Sequence, residues 1–302
     1  MFRKRFYLVV NLLLLISLLL LNGCNSPAPT ASVQQMTVVT SISPLADLIR
    51  QVGGNKVKVI NLVPAGSDPH EYEPKPTDVR DVAASSLFFA NGVGEELYLD
   101  KVIKNAANSN LHTVILSDGL TIMGKEQGGL GNPHLWLDVQ NAKKYVEKIQ
   151  AALSQTYPDY KSYFSQNAAS YLSELTQLDQ WINTQIMTIP TDARKMVVLH
   201  DAWSYYAKRY GLSFVQPLLH TGEAEPSAKD YAELINIVRE QKVRAVFSEA
   251  GFNPKLAQQL ASETGVKFID SLHDDTLGDT PDTNSYIGIM KSNTNSIVSA
   301  LK

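Results

Sequence analysis

The chain has 302 residues, 44% of them hydrophobic, with a formal net charge of −3 and a single cysteine. That length and apolar content suffice for one large or two medium domains, each with its own core. The weak negative charge and the lack of a long basic run argue against a nucleic-acid partner. One cysteine allows no internal disulfide, so a metal site here must be built from His, Asp and Glu.

The first 23 residues read as an address. Arg3, Lys4 and Arg5 form a basic start, and residues 7–21 are almost wholly apolar. The run ends at Leu21-Asn22-Gly23-Cys24, which looks like a bacterial lipoprotein signal with Cys24 as the lipidated mature N-terminus. An apolar run this short is a poor membrane span. The body of the protein is therefore expected outside the cytoplasmic membrane, anchored through lipid. Residues 24–35 are small, polar and Pro-containing, and read as a flexible tether.

A first α/β lobe is expected over 36–140. MTVVT is a short strand, and Ser43-Pro44 opens a helix that Gly53-Gly54 stops. KVKVINLV is the next strand, followed by the loop PAGSDPHEYEPKP. Then come a helix over DVRDVAAS, a buried strand SLFFANG, a helix EELYLDKVIKNA and a strand HTVIL. The loop SDGLTIMGKEQGGLGNPH is long and rich in glycine.

Residues 141–188 read as helix almost throughout, broken near Tyr157-Pro158. After the break Tyr160, Phe164, Tyr171, Leu175, Leu178, Ile182 and Ile186 recur at helical spacing and form one apolar stripe. Roughly 28 residues in a helix make a rod about 42 Å long, enough to link two lobes.

The alternation resumes over 189–302. KMVVL, LSFVQ, VRAVFSE and VKFIDSL read as strands. DAWSYYAKRYG, AKDYAELINIVREQK, NPKLAQQLASETG and SYIGIMKSNTNSIVSAL read as helices. Strands alternating with helices predict, in each lobe, a mostly parallel sheet flanked by helices.

Four residues stand out as candidate metal ligands. His70 lies in Asp68-Pro69-His70-Glu71, His134 in Asn132-Pro133-His134, and His200 directly after KMVVL. Asp275 follows the last strand, in His273-Asp274-Asp275. In open α/β sheets ligands bind beyond the carboxyl ends of the strands, so facing lobes would bring the four together. Three imidazoles and a carboxylate suit Zn²⁺ and accept Mn²⁺. The prolines before His70 and His134 stiffen their loops. Taken singly, a histidine after a strand is more often a hydrogen-bonded residue than a ligand. His112 and His273 read as background, and His220 as a loop or supporting residue. Asp201 is equally a helix N-cap, and Glu223 and Glu225 suit the start of the helix near Pro226. Spacing alone leaves both readings, metal ligands and hydrogen-bonded background residues, open.

Several stretches resemble the zinc- and manganese-binding solute-binding lipoproteins and periplasmic proteins of metal ABC importers, the ZnuA/TroA-like cluster A-I family. They are LNGC, VVTSISPLADLIRQVGG, DPHEYEPKPTDV, NPHLWLD, VLHDAWSYYAKRYGL, EAEPSAKD and DDTLGD with SYIGIMKSNTNSI. They span nearly the whole mature chain in order. The resemblance implies two α/β lobes joined by one long rigid linking helix, with the metal between the lobes. By motif it places His70, His134 and His200 at the family's three histidine positions and Asp275 at its aspartate, with Asp270 and Asp274 as competitors. Manganese-selective members often carry glutamate at the third position, so His200 tilts the reading towards zinc. The loop before His134 lacks the histidines that zinc members often carry there. The implied role is capture of Zn²⁺, alternatively Mn²⁺, for an ABC permease in the cytoplasmic membrane, by a monomer with no catalytic residue. An adhesin role described for the family has no separate support here. The rival from another class is a zinc hydrolase. It lacks an HExxH helix, and an Asp275 ligand would close the site to water.

Overall fold

The computed structural model describes residues 36–125, 129–219 and 226–302. The signal and tether, Cys24, His220, Glu223 and Glu225 lie outside the described residues.

In the first lobe, β1 (Met36–Thr40), β2 (Val57–Asn61), β3 (Leu87–Ala90) and β4 (His112–Ile115) form one parallel sheet in the order β2-β1-β3-β4. Its helices are α1 (Ser43–Gly53), α2 (Pro76–Ala83) and α3 (Leu99–Ala106). All four residues of β3 are buried, as expected for a strand covered on both faces. Pro44 sits in the first turn of α1, where its missing N–H costs nothing.

The second lobe repeats the plan. β5 (Lys195–His200), β6 (Ser213–Leu219), β7 (Ala245–Glu249) and β8 (Lys267–Leu272) are parallel in the order β6-β5-β7-β8. The helices are α6 (Ser204–Tyr210), α7 (Ala228–Glu240), α8 (Lys255–Thr264) and α9 (Tyr286–Leu301), numbered after the linker pair below. β6 runs past the expected LSFVQ through Pro217. That is tolerated because β6 is an edge strand and one flank needs no donor.

Between the sheets run α4 (Val139–Thr156) and α5 (Lys161–Ile186), separated by a 3₁₀ turn at Pro158–Tyr160. The 26 residues of α5 make a rod about 39 Å long. Phe164, Tyr171, Leu175, Leu178, Ile182 and Ile186 of the expected stripe are buried, with Ala168 among them. Tyr160 is only half-buried, in the 3₁₀ turn. The helix packs on α1 and α4 of one half and on α6 and α9 of the other. One apolar core therefore runs from Val38 in β1 through α5 to Leu301 in α9. A smaller cluster around Val197, Leu234 and Leu260 fills the outer face of the second sheet.

Two helices start three or more residues later than expected. α3 begins at Leu99, not Glu95, and residues 93–98 form a tight turn. Val93 adopts φ 57 between two glycines with positive φ, a left-handed run that a helix cannot contain. α6 begins at Ser204, leaving His200 as the last residue of β5 and residues 201–203 as a turn.

Candidate metal centre

The two Asx-Pro-His sequences fold alike. The Asp68 carboxylate accepts the His70 backbone N–H at 2.7 Å, and the Asn132 side-chain oxygen accepts that of His134 at 3.0 Å. Each Asx side chain caps a local turn while proline holds the chain, so each imidazole leaves a stiffened loop. His200 ends β5, and Asp275 follows β8 with its backbone N–H on the Asp274 carboxylate at 2.8 Å.

The structure brings His70, His134, His200 and Asp275 together: one nitrogen or oxygen from each lies within 4.8 Å of all the others. His134 and His200 approach through their Nε2 atoms at 3.3 Å. The Nε2 atoms of His134, His70 and His200 lie 3.5, 3.7 and 3.9 Å from Asp275 carboxylate oxygens. Ligand atoms about 2.0–2.1 Å from a tetrahedral zinc sit roughly 3.3–3.4 Å apart, a spacing that the His134–His200 pair already has and that the other groups would reach by closing in. The first lobe supplies His70 and His134, and the second supplies His200 and Asp275.

The seam between the lobes is hydrogen-bonded around the cluster. Gly66 N–H donates to the Thr276 hydroxyl at 3.0 Å, and Asn132 Nδ2 to the Asp201 carbonyl at 2.6 Å. Trp136 Nε1 donates to the Asp274 carbonyl at 2.9 Å. Trp136 packs on the His134 ring and Phe252 stacks on His200. These contacts keep water from much of the cluster. His134 and Asp275 are buried, and His70 is the most open of the four, its side chain 27% exposed.

The cluster is rich in buried carboxyl groups. Glu95, Glu249, Asp274 and Asp275 are all buried. Among the described residues their only basic partners within ion-pair distance are the histidines. Among the described residues, both oxygens of Glu95 and of Asp275, Oε2 of Glu249, Oδ2 of Asp274 and Nδ1 of His200 have no hydrogen-bond partner. Buried polar atoms are normally paired, and a bound cation is one group that would satisfy such a concentration of unpartnered oxygens. Burial, then Asp274 and Glu95, pushes the Asp275 carboxyl well up. Burial likewise raises Asp274 to about 7. Burial and the neighbouring His200 and His70 hold His134 well below the usual imidazole range, leaving it neutral and able to coordinate. For His200, burial opposes the charged form, but the Glu249 and Asp274 carboxylates overcome it and raise the ring to about 9.

A model of the family described as zinc-uptake complex component A, periplasmic, matches residues 38–300. The chain belongs to this family of substrate-binding components of metal ABC importers. The manganese-binding lipoprotein MntA of Halalkalibacterium halodurans is 31% identical over 280 residues, covering 92% of this chain and 93% of that protein. Two solved structures share the architecture. The crystal structure of ZnuA is 28% identical, with a TM-score of 0.80 over 89% of this chain and all of its own. The periplasmic zinc-binding protein TroA from Treponema pallidum is 27% identical, with a TM-score of 0.82 over 88% of this chain and 99% of its own. Members of this family bind and deliver a metal ion rather than transform a substrate. The protein is not an enzyme, and the hydrolase alternative falls away.

The other candidates from the sequence take different places. Asp270 is exposed on β8 and contributes nothing to the cluster. Asp274 is buried with Oδ2 3.5 Å from His200 Nε2, and forms with Glu249 and His200 an adjoining group. His112 is exposed at the start of β4. The backbone of His273 is held by the Asn293 side chain. The Asp201 carboxylate accepts the Ser204 hydroxyl, a role at the start of α6. Sequence reasoning missed Glu95 and Glu249. Glu249 ends β7, and its place at the carboxyl end of a strand was the one signal available; that β7 lies beside β5 is known only from the sheet order.

Proposed function

We propose that this protein captures Zn²⁺ outside the cytoplasmic membrane and hands it to an ABC permease, with His70, His134, His200 and Asp275 as the four ligands. The observation that carries the reading is the convergence of three imidazoles and one carboxylate from two lobes within 4.8 Å. Nitrogen-rich donor sets bind Zn²⁺ more tightly than Mn²⁺, which stands lowest in the divalent series. The 3.3 Å approach of His134 and His200 suits a small tetrahedral ion. The metal is cargo, and no bond is made or broken. The chain divides into lobes at 36–140 and 189–302 joined by 141–188. It is held to the membrane by lipid on Cys24 and acts as a monomer.

The second reading is Mn²⁺ capture, favoured by the manganese named for the MntA relative. A competition separates the two. The full chain in detergent is stripped with chelator and titrated with Zn²⁺ and Mn²⁺ against each other, with His200→Ala alongside. One tightly held zinc per chain, weakened by the substitution, supports zinc capture. Manganese retained against equimolar zinc moves the assignment to manganese. Stoichiometric binding of neither sinks the site.

A further inference from the structure

The three imidazoles are not held alike from behind. His134 has its Nδ1 2.9 Å from the Asn132 side-chain oxygen, so the Asx residue that caps the loop also fixes the ring. In the His70 loop Asp68 takes the backbone N–H and is not the partner of the ring. The acceptor beside the His70 ring is Glu95, with Oε2 3.9 Å from Nδ1.

Glu95 is fully buried, and among the described residues neither of its carboxyl oxygens has a hydrogen-bond partner. Its neighbour explains why it is there. The Glu96 carboxylate accepts the backbone N–H groups of Asn91 at 2.7 Å and Gly92 at 3.0 Å, and the Ser41 hydroxyl at 2.5 Å. These bonds lock the left-handed turn over 92–94 and leave Glu95 turned inward instead of lying on the solvent face of a helix. A buried carboxyl group without hydrogen bonds is costly, and a ring N–H close by is a partner that would offset that cost.

We infer that Glu95 is a positioning residue for metal capture: its carboxylate takes the Nδ1–H of His70 and holds that ring with Nε2 turned to the metal. The inference rests on the His70, His134, His200 and Asp275 site proposed above. A shift of less than 1 Å brings the pair to hydrogen-bond distance. His70 is the most exposed of the four groups, so it gains most from being held. Carboxylates behind a coordinating histidine fix its tautomer and orientation and raise its basicity as a donor.

The test compares Glu95→Leu, Glu95→Gln and His70→Ala in the full chain. It reads Zn²⁺ affinity by chelator competition, the visible spectrum with Co²⁺ as probe, and the melting temperature without metal. Glu95→Leu is expected to weaken Zn²⁺ binding about 10–100-fold and change the Co²⁺ spectrum. Because it removes a buried carboxyl group that makes no hydrogen bond among the described residues, it should leave the metal-free melting temperature equal or higher. Glu95→Gln, whose amide oxygen still accepts from Nδ1–H, should recover part of the affinity. Wild-type affinity and spectrum in Glu95→Leu, with His70→Ala impaired, overturn the role of Glu95 alone. Weakened binding that only follows a fall in the metal-free melting temperature also overturns it, because a structural role would then account for the loss. No effect of His70→Ala overturns the metal site and this inference with it.

Discussion

The Nε2 atoms of His134 and His200 stand 3.3 Å apart although the two residues come from different lobes. Two such nitrogens meet this closely when a proton or a metal ion lies between them, because their lone pairs repel. The pair therefore marks one point at which the two lobes meet. One histidine is stiffened by an Asx-Pro turn and the other ends a buried strand.

The adjacent aspartates should separate by function. Asp275 faces all three histidines, whereas Asp274 approaches only His200. Asp275→Asn is expected to weaken Zn²⁺ binding by more than about 100-fold, and Asp274→Asn by about 10–100-fold. Asp270→Asn, on the surface, should change nothing. Chelator competition on the three variants checks the order, and equal losses at 274 and 275 would mean a shared ligand role.

Metal uptake should release protons at neutral pH. With His200 raised to about 9, the metal-free ring carries a proton at pH 7, and a metal can take the nitrogen only by displacing it. Affinity should rise with pH up to about 9, close to tenfold per unit for each proton displaced. The same shift stabilises the metal-free fold. That contribution is complete below the ordinary imidazole value of 6.5 and is lost as pH climbs through 9. Calorimetry at pH 7 in buffers of different ionisation heat measures the protons directly, and a binding heat independent of buffer would refute it.

Asp179 on α5 ties both halves of the molecule. It accepts from Gln140 at the start of α4, from the Arg209 guanidinium at 2.6 and 3.1 Å, and from the Tyr210 hydroxyl at 3.0 Å. Burial alone would raise its carboxyl, but the Arg209, Gln140 and Tyr210 hydrogen bonds outweigh that and hold it below 3.8. Its folded value is depressed, so its contribution is present above the unfolded value and lost as pH falls through the folded one. Asp179→Ala, which leaves these donors without their acceptor, should cost about 1–3 kcal/mol at pH 7. The difference from the parent should shrink towards pH 3, as read by urea unfolding.

The linking helix should not unfold apart from the lobes. Leu175 is fully buried in the core that α5 shares with α1, α4 and α9. Leu175→Ala should cost about 2–5 kcal/mol and shift the whole urea transition without splitting it. Two separated transitions in the parent protein would show that the lobes fold independently.

The histidines and the strand-helix alternation were legible because both are local signals. Apolar period separates strand from helix, and Asx-Pro-His marks a stiff loop wherever it occurs. Glu95 was not legible for an equally specific reason. EELYLDKV has the spacing of an amphipathic helix and reads as its first turns. The Gly92-Val93-Gly94 turn and the hold of Glu96 on the backbone N–H groups of Asn91 and Gly92 override that propensity. Both act through atoms that a residue pattern does not record. Glu249 reads as an ordinary strand end, because nothing in VRAVFSE says that β7 lies beside β5.

From the chain alone follow two α/β lobes, a long helix between them, and three histidines with a late aspartate as candidate ligands. Each is set by periodicity and by residue chemistry over a few neighbours. Only the tertiary structure decided that Asp275 faces all three histidines while Asp274 reaches only His200 and Asp270 faces solvent. It alone placed the buried carboxylates of Glu95 and Glu249 beside the rings of His70 and His200. Those outcomes depend on sheet order, on where each helix starts and on which side chains are denied water. These are properties of the packed chain, fixed by contacts between residues far apart in sequence.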